Sequence, residues 1–154
     1  MSFNTPNGTR GARQPRAGFM MRMFNQRTMN RLSRKGGKFM GMDALVLTTI
    51  GSKSGAERSS PVAWFRGKDD SWLIVASAGG APKNPAWYYN IAAHPDRVRI
   101  EMAGRKVAVT AEQLHGAERA EAWRQITTAA PRFAGYEGKT DRELPVIRLV
   151  AQSG

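Results

Sequence analysis

Short apolar runs separated by turn-forming residues recur along most of this chain, and they limit its fold more than any other feature. Six runs have the length and β-branched content of strands, and they cover residues 44–50, 61–66, 72–77, 97–102, 107–109 and 145–150. Because closing a sheet on itself removes its exposed edges, we expect a mainly β (α+β) fold. The pattern predicts a small β-barrel of about six antiparallel strands with peripheral helices.

Two helices are predicted between these strands. The first lies between Pro85 and His94, with Asn84 as its N-cap and Pro85 in its first turn, because proline is favoured in a first helical turn and asparagine at the N-cap. The second covers residues 116–128. One face of this second helix carries Ala120, Trp123 and Thr127.

The composition indicates one cytoplasmic domain. A chain of 154 residues that is 41% hydrophobic can bury one core but is too short for two full domains. The absence of cysteine excludes disulfides, thiolate catalysis and most structural zinc sites. No stretch reaches the roughly 20 consecutive apolar residues of a membrane span, and the basic N-terminus lacks the apolar segment of a secretory signal.

The net charge of +12 is concentrated at the N-terminus. Nine Arg or Lys residues and no Asp or Glu precede residue 43, so the remaining 112 residues carry a net charge of only +3. We therefore divide the chain into a basic N-terminal arm, residues 1–38, and a barrel domain, residues 39–154. Residues 1–16 are rich in Gly, Pro, Asn and Arg without apolar periodicity, and this composition predicts disorder.

The second half of the arm, residues 19–35, predicts a basic amphipathic helix that ends at Gly36 and Gly37. One interpretation is that its Phe and Met stripe packs on the domain. A second is that residues 17–38 lie on an anionic membrane, which would place a cytoplasmic protein peripherally on the inner face of the cell membrane. Nucleic-acid binding is a third, but no nucleic acid is expected because no recognition motif accompanies the arm.

Two loops have the chemistry of an anion site. The first carries Lys53, Ser54 and Arg58, with backbone amides made accessible by Gly51 and Gly55. The second, residues 78–85, contains a Gly-Gly pair and a lysine and leads into the first predicted helix, whose N-terminus favours negative charge. Both loops together predict a site for a phosphate or carboxylate.

Each of these features also has a purely structural interpretation. Lys53 and Arg58 could be solvated turn charges, and Trp87 could be a core residue. His94 and His115 lie at predicted helix ends and are interpreted as cap or surface residues. Ser77 lacks a nucleophile-elbow pattern, so covalent hydrolysis is not expected, and the scattered carboxylates give no support for a bound metal.

Four segments in a fixed order carry a family resemblance: Leu-Thr-Thr-Ile-Gly-Ser-Lys-Ser-Gly at 47–55, Val-Ala-Ser-Ala-Gly-Gly at 75–80, Lys-Asn-Pro-Ala-Trp-Tyr-Tyr-Asn at 83–90, and Thr-Asp-Arg at 140–142. Over residues 40–150 the chain resembles the deazaflavin-dependent nitroreductase family. The resemblance implies a split β-barrel of the flavin-reductase or FMN-binding-like type. It also implies reduction of a quinone or nitro-aromatic acceptor by reduced coenzyme F-420, a deazaflavin.

The resemblance implies the residues of the site as well. Lys53 and Arg58 would bind the phosphate and carboxylates of the cofactor, and Trp87 and Tyr88 would lie against its ring. The implied cofactor-binding residues are Ser52, Lys53, Ser54, Arg58, Ser59, Ser60, Pro61, Val62, Ala63, Val75, Ala76, Ser77, Ala78, Ala86, Trp87, Tyr88, Tyr89, Asn90 and Phe133. Ser77 and Tyr136 are the implied catalytic residues, because they match residues that border the substrate in the family.

The implied reaction is a hydride transfer from C5 of the reduced deazaflavin to an acceptor lying against its ring. Three positions depart from the family pattern: Ser52 replaces a common Arg or Lys, Phe133 replaces a tyrosine, and Ala63 replaces an aromatic side chain. The last two changes alter the substrate site. We therefore expect a menaquinone-like quinone as acceptor, and nitroimidazole activation is in doubt.

Two other classes of function stay open at this point. Related split-barrel proteins bind flavin mononucleotide or haem, and fold resemblance alone does not choose the cofactor. A non-catalytic basic module that binds membrane or nucleic acid through the arm is the second alternative. Split barrels often pair, so a homodimer is compatible with the sequence.

Overall fold

The computed structural model describes residues 3–11, 19–39 and 41–152, and within the first helix it describes side chains from Asn25 onward. The helices are α1 (Phe19–Lys35), α2 (Ala86–Ala93), α3 (Gly116–Ala129) and α4 (Arg132–Lys139). The strands are β1 (Lys38–Phe39), β2 (Met42–Ile50), β3 (Glu57–Ala63), β4 (Phe65–Arg66), β5 (Trp72–Val75), β6 (Val98–Met102), β7 (Arg105–Gln113) and β8 (Val146–Ala151). Short 3-10 turns at Lys68–Asp70 and Ala78–Gly80 lie before and after β5.

One antiparallel sheet contains the eight strands of the described residues and curls into a half-barrel. The strands follow the order β1-β2-β6-β7-β8-β5-β4, and β3 pairs with β2 outside this path. In the ladder between β2 and β3, Ala44 lies opposite Ala63 and Ile50 lies opposite Glu57. The predicted mainly β fold with peripheral helices is confirmed.

Two buried clusters pack against opposite faces of the sheet. The first contains Leu45 and Ile100 together with Ile91 of α2, and the second contains Ile126 of α3 and Phe133 of α4. Strand β5 contributes to both, because alternate residues of a strand point to opposite faces. This double burial explains why the sequence of β5 is continuously apolar.

Several predicted elements have different bounds in the structure. The run 61–66 is interrupted at Trp64, whose N–H donates to Asp43 O (3.0 Å), so β3 ends at Ala63 and β4 begins at Phe65. The first half of β3, residues 57–60, is polar and largely exposed, and apolar periodicity could not reveal it. Helix α4 was not predicted, because it contains two glycines, which disfavour helix.

Two helix details differ from the sequence prediction. Pro85, not Asn84, is the N-cap of α2, because the Asn84 amide instead donates to Thr5 O (3.1 Å) and accepts from Arg142 (2.6 Å). The buried residues of α3 are Ala122 and Ile126. Of the predicted face, Trp123 packs against the second buried cluster and Ala120 is exposed.

The prediction of disorder is wrong for residues 3–11, which pack along the barrel. The rings of Phe3 and Tyr88 are 6.0 Å apart, and Thr5 N–H donates to the Tyr88 hydroxyl (3.1 Å). The N–H of Gly8 donates to Pro82 O (2.7 Å). The remainder of that prediction, residues 1–2 and 12–16, lies outside the described residues.

Helix α1 has the predicted bounds and ends before Gly36, whose φ of 74° suits glycine. Leu32 is fully buried against Ala44 and Val46 of β2, so the described part of the apolar stripe packs on the barrel. The side chains of Phe19, Met20, Met23 and Phe24 lie outside the described part. Within the residues described, no helix is both long and apolar enough to cross a bilayer.

Candidate functional site

A cavity of about 800 Å³ opens between the first loop, the start of β3 and the first turns of α2. Two exposed cations, Lys53 and Arg58, face it from one side, and α2 closes the other side. We call it the cationic cavity. Its lining residues are Gly51, Ser52, Lys53, Ser54, Arg58, Ser59, Ser60, Ala86, Trp87, Tyr89 and Asn90.

The first loop owes its shape to a tight turn between β2 and β3. Gly51 N–H donates to Ala56 O (2.7 Å) and Gly55 N–H donates to Gly51 O (2.9 Å). A Cβ at position 51 would lie 2.6 Å from the Ser54 hydroxyl oxygen, and Gly55 has a φ of 71°. The two glycines therefore permit a close turn that lets Lys53 and Arg58 face one cavity.

Asn90 connects α2 to this loop. Its side-chain oxygen accepts from Ser52 N–H (3.0 Å), and its side-chain nitrogen donates to the Thr49 hydroxyl (3.1 Å). Asn90 is buried, so these bonds fix the distance between the loop and the helix. Asn90 thus has a structural role beside its place in the lining.

A second cavity of about 500 Å³ adjoins the first, and aromatic and aliphatic side chains dominate its surface. The Phe133 ring lies 5.6 Å from the Tyr136 ring and 5.7 Å from the Phe65 ring, both edge to face. We call it the apolar cavity. Its lining residues are Phe39, Met42, Pro61, Val62, Ala63, Val75, Ser77, Ala78, Gly79, Pro85, Trp87, Phe133 and Tyr136.

Trp87, in the first turn of α2, lines both cavities. The two cavities are therefore halves of one groove, cationic at one end and apolar at the other. The Trp87 side chain is partly exposed in the groove and also packs against the first buried cluster, so it has a core contact beside its place in the lining.

The two loops line different cavities, whereas the sequence predicted that they form one site together. The first loop lines the cationic cavity, whereas Ser77, Ala78 and Gly79 line the apolar cavity and Lys83 lines neither. The predicted anion site made jointly by both loops is therefore not formed. The helix α2 contributes residues to both cavities and connects them.

Two predicted site residues lie beneath the groove rather than in its lining. Ala76 is fully buried, and its N–H donates to Pro145 O (2.9 Å). Tyr88 is buried as well, and its hydroxyl donates to Gln113 Oε1 (2.6 Å). Tyr88 therefore does not lie against a ligand ring, and its partner in the sequence prediction, Trp87, does line the groove.

Phe39 and Met42 line the apolar cavity although the sequence reasoning did not include them. They flank the connection between β1 and β2, which precedes the first recognised segment. Buried Arg142 was seen only as part of a Thr-Asp-Arg segment, yet its guanidinium binds the loop that carries Ser77. Burial lowers the pKa of the Arg142 guanidinium.

Across the described parts of the chain, no group of three or more His, Asp or Glu side chains is arranged to hold a metal ion. His94 is the C-cap of α2 and His115 is the N-cap of α3, so both lie at helix ends, as interpreted from the sequence.

The chain is similar to known proteins in both sequence and structure. A family model described as "F420H(2)-dependent quinone reductase" matches residues 20–151. A protein named as such a reductase in Mycobacterium tuberculosis strain H37Rv is 37% identical over 109 residues, which cover 69% of this chain and 72% of that protein.

Two solved structures are also similar. An F420-H2 dependent reductase, FDR-A, has a TM-score of 0.61 at 36% identity and covers 69% of this chain and 92% of its own. A structure described as a domain-swapped dimer has a TM-score of 0.63 at 32% identity and covers 84% of this chain and 92% of its own.

Proposed function

Because the chain belongs to the F420H(2)-dependent quinone reductase family, we propose that its groove binds reduced coenzyme F-420 with the acidic half in the cationic cavity and the ring in the apolar cavity. The protein is an oxidoreductase, and coenzyme F-420 is its cofactor. The single observation that carries the proposal is that Trp87 lines both cavities, so a ligand with an anionic half and a flat half can occupy them together.

The residues present fit this cofactor. Its phosphate and carboxylates need cations and hydrogen-bond donors, and Lys53, Arg58 and four serine hydroxyls supply them around the cationic cavity. Its planar ring needs apolar surface, which Val62, Val75 and Trp87 supply in the adjoining cavity.

When bound, the reduced deazaflavin supplies the hydride. The side chains of this protein have the tasks of orienting donor and acceptor, excluding water and stabilising charge. Ser77 and Tyr136 both line the apolar cavity, and a hydroxyl of either could donate to the quinone oxygen on which negative charge develops. Phe133 and Ala63 add apolar surface where a neutral quinone ring would lie.

Variants of the two cations test the cofactor site. With either Lys53→Ala or Arg58→Ala, the Kd for coenzyme F-420, followed by Trp fluorescence, should rise by about tenfold, because each loses a charge-assisted bond. Exposed Lys68, on the turn before β5, provides the matched control Lys68→Ala, with an unchanged Kd. The proposal would be overturned if folded wild-type protein did not oxidise the reduced coenzyme in the presence of menadione. Tighter binding of flavin mononucleotide than of F-420 would favour the alternative cofactor.

The finer choice of acceptor rests on the apolar lining. We propose a menaquinone-like quinone, because aromatic and aliphatic side chains dominate the cavity and an extended apolar tail favours such surface. Reduction of nitro-aromatic compounds stays a prediction. Comparing kcat/KM for menadione with that for a nitroimidazole under the same conditions tests both.

We also propose that α1 brings the enzyme to an anionic membrane, where a lipid-soluble quinone would be found. Arg27, Arg31, Arg34 and Lys35 are exposed along the described part of the helix, while Leu32 faces the barrel. Such a cationic face is attracted to anionic headgroups. Deleting α1 would expose Ala44 and Val46. The test is therefore a full-length variant in which Arg27, Arg31, Arg34 and Lys35 are changed to Gln.

Sedimentation with phosphatidylglycerol vesicles should fall in this variant, and no binding to pure phosphatidylcholine vesicles is expected for either protein. The double variant Arg105→Gln, Lys106→Gln, on exposed positions of β7, is the control and should sediment like wild type. Equal sedimentation of all three proteins would exclude a role of α1.

A homodimer is the proposed assembly, supported by the 32% identical structure described as a domain-swapped dimer. Light scattering after gel filtration tests it, and a monomer mass over the whole concentration range would contradict it.

A further inference from the structure

The side chain of Arg142 makes an unusual set of hydrogen bonds. It is 3% exposed, and its guanidinium donates to Ala76 O (2.9 Å), Ser77 O (2.7 Å), Ala81 O (3.1 Å) and Asn84 Oδ1 (2.6 Å). All four acceptors are neutral oxygens. A buried charge is costly unless it is well hydrogen-bonded, and these four bonds offset the cost while they attach residues 76–84 to one side chain.

Three of these acceptors are backbone carbonyls on either side of one turn. The turn, Ala78–Gly80, follows β5, and Ala78, Gly79 and Gly80 have positive φ angles of 47°, 64° and 84°. Ala78 is not a glycine, and a positive φ strains it. Backbone in this conformation persists only where surrounding contacts determine it, and the planar fork of one arginine supplies several of these contacts at once.

The same turn forms part of the apolar cavity. Ser77, Ala78 and Gly79 all line it, and none of them lines the cationic cavity. On the far side the turn lies close to α4, because a Cβ at Gly80 would be 2.9 Å from Tyr136 O. The position of this turn therefore sets the distance between Ser77 and Tyr136 across the cavity.

We propose that Arg142 is a positioning residue that holds the Ser77–Ala81 segment in the geometry needed for hydride transfer, without itself contacting cofactor or acceptor. The proposal rests on the proposed function for its kinetic part. It predicts that turnover depends on Arg142. The affinity for the acidic half of the cofactor should depend on the cationic cavity and not on Arg142.

The test compares Arg142→Met, which keeps length and loses every donor, with wild type. With menadione, kcat should fall by about 30-fold or more, because misplacement of the reacting groups by about 1 Å is costly. The Kd for F-420 should change by less than about threefold, since the charge-assisted bonds to Lys53 and Arg58 remain. Hydrogen exchange of the Gly80 and Ala81 amides, which donate within the turn, should accelerate in the absence of any cofactor.

Two further variants keep the proposal falsifiable. Arg142→Lys retains a charge but cannot reach all four acceptors, so kcat should recover only partly; if the Met variant does not fold, the Lys variant decides. Arg148→Met is the control, because Arg148 also makes several side-chain hydrogen bonds, to Glu112 and Glu118, and none of these residues lines either cavity of the groove. It should leave exchange of the turn and kcat unchanged.

Unchanged kcat and unchanged exchange in folded Arg142 variants would overturn the proposal. So would a parallel loss of kcat and cofactor affinity with faster exchange throughout the protein, because that result indicates a general structural role. If wild type itself does not oxidise reduced F-420, the proposed function fails, and the exchange measurement still tests the positioning role.

Discussion

At the scale of single residues, the groove depends on polar side chains that connect distant parts of the chain. Asn90 is the clearest case, because one buried amide pairs with Ser52 N–H and with the Thr49 hydroxyl. In Asn90→Ala these groups lose their partner, and the free energy of unfolding should fall by about 1–2 kcal/mol. Urea unfolding measures it. Gln125→Ala, which removes an exposed bond to Arg66 O, is the control and should cost less than about 0.5 kcal/mol.

Asp141 gives a prediction on pH. The hydroxyl and N–H of Thr9 donate to its carboxylate and lower its pKa from 3.8 to about 2. A carboxyl group with a lower pKa in the folded state stabilises the fold above its unfolded pKa, and this contribution is lost as the pH falls from about 4 to about 2. The stability difference between wild type and Asp141→Asn should therefore narrow over that window in urea unfolding. A difference independent of pH would contradict the assignment.

At the scale of elements, the N-terminal segment, residues 3–11, and the second loop pack so closely that glycine is needed. A Cβ at Gly11 would lie 2.4 Å from Gly80 O and 2.6 Å from Pro82 N. We expect Gly11→Ala to lower the melting temperature and to accelerate hydrogen exchange in residues 77–84. In Gly138→Ala, where nothing lies within 4 Å of the new Cβ, helix α4 should instead gain about 0.5–1 kcal/mol. If Gly11→Ala and Gly138→Ala changed the melting temperature equally, the close packing at Gly11 would not contribute to stability.

The elements also show which parts of the structure the sequence could predict. Most strands with an apolar face and α2 were predicted to within about two residues, because periodicity and capping are local signals, but the predicted run 107–109 covers only the middle of β7. The first loop was predicted for the same reason, since its glycines and cations are contiguous. Helix α4 and the polar half of β3 were missed because tertiary packing, not local propensity, decides them. Phe39, Met42 and the partners of Arg142 could not be found, because residues far apart in sequence meet there.

At the scale of the whole molecule, charge is divided between an arm that carries most of the net charge and a nearly balanced domain with two cations at one end of the groove. This division predicts how salt affects each ligand. Raising NaCl should increase the Kd for F-420, because salt screens Lys53 and Arg58, which are exposed. The KM for menadione should stay nearly constant, because a neutral quinone in the apolar cavity has no charge to screen.

Two variants assign this salt dependence to its source. In the double variant Lys53→Ala, Arg58→Ala, the Kd for F-420 should start higher and depend less on NaCl, because the screened charges are gone. In the variant with Arg27, Arg31, Arg34 and Lys35 changed to Gln, the wild-type dependence should persist, since these residues line neither cavity of the groove. If the NaCl dependence of the Kd were instead lost in the arm variant, the overall electrostatic field of the protein would attract the cofactor. The cationic cavity would then not be the site of the screened charges.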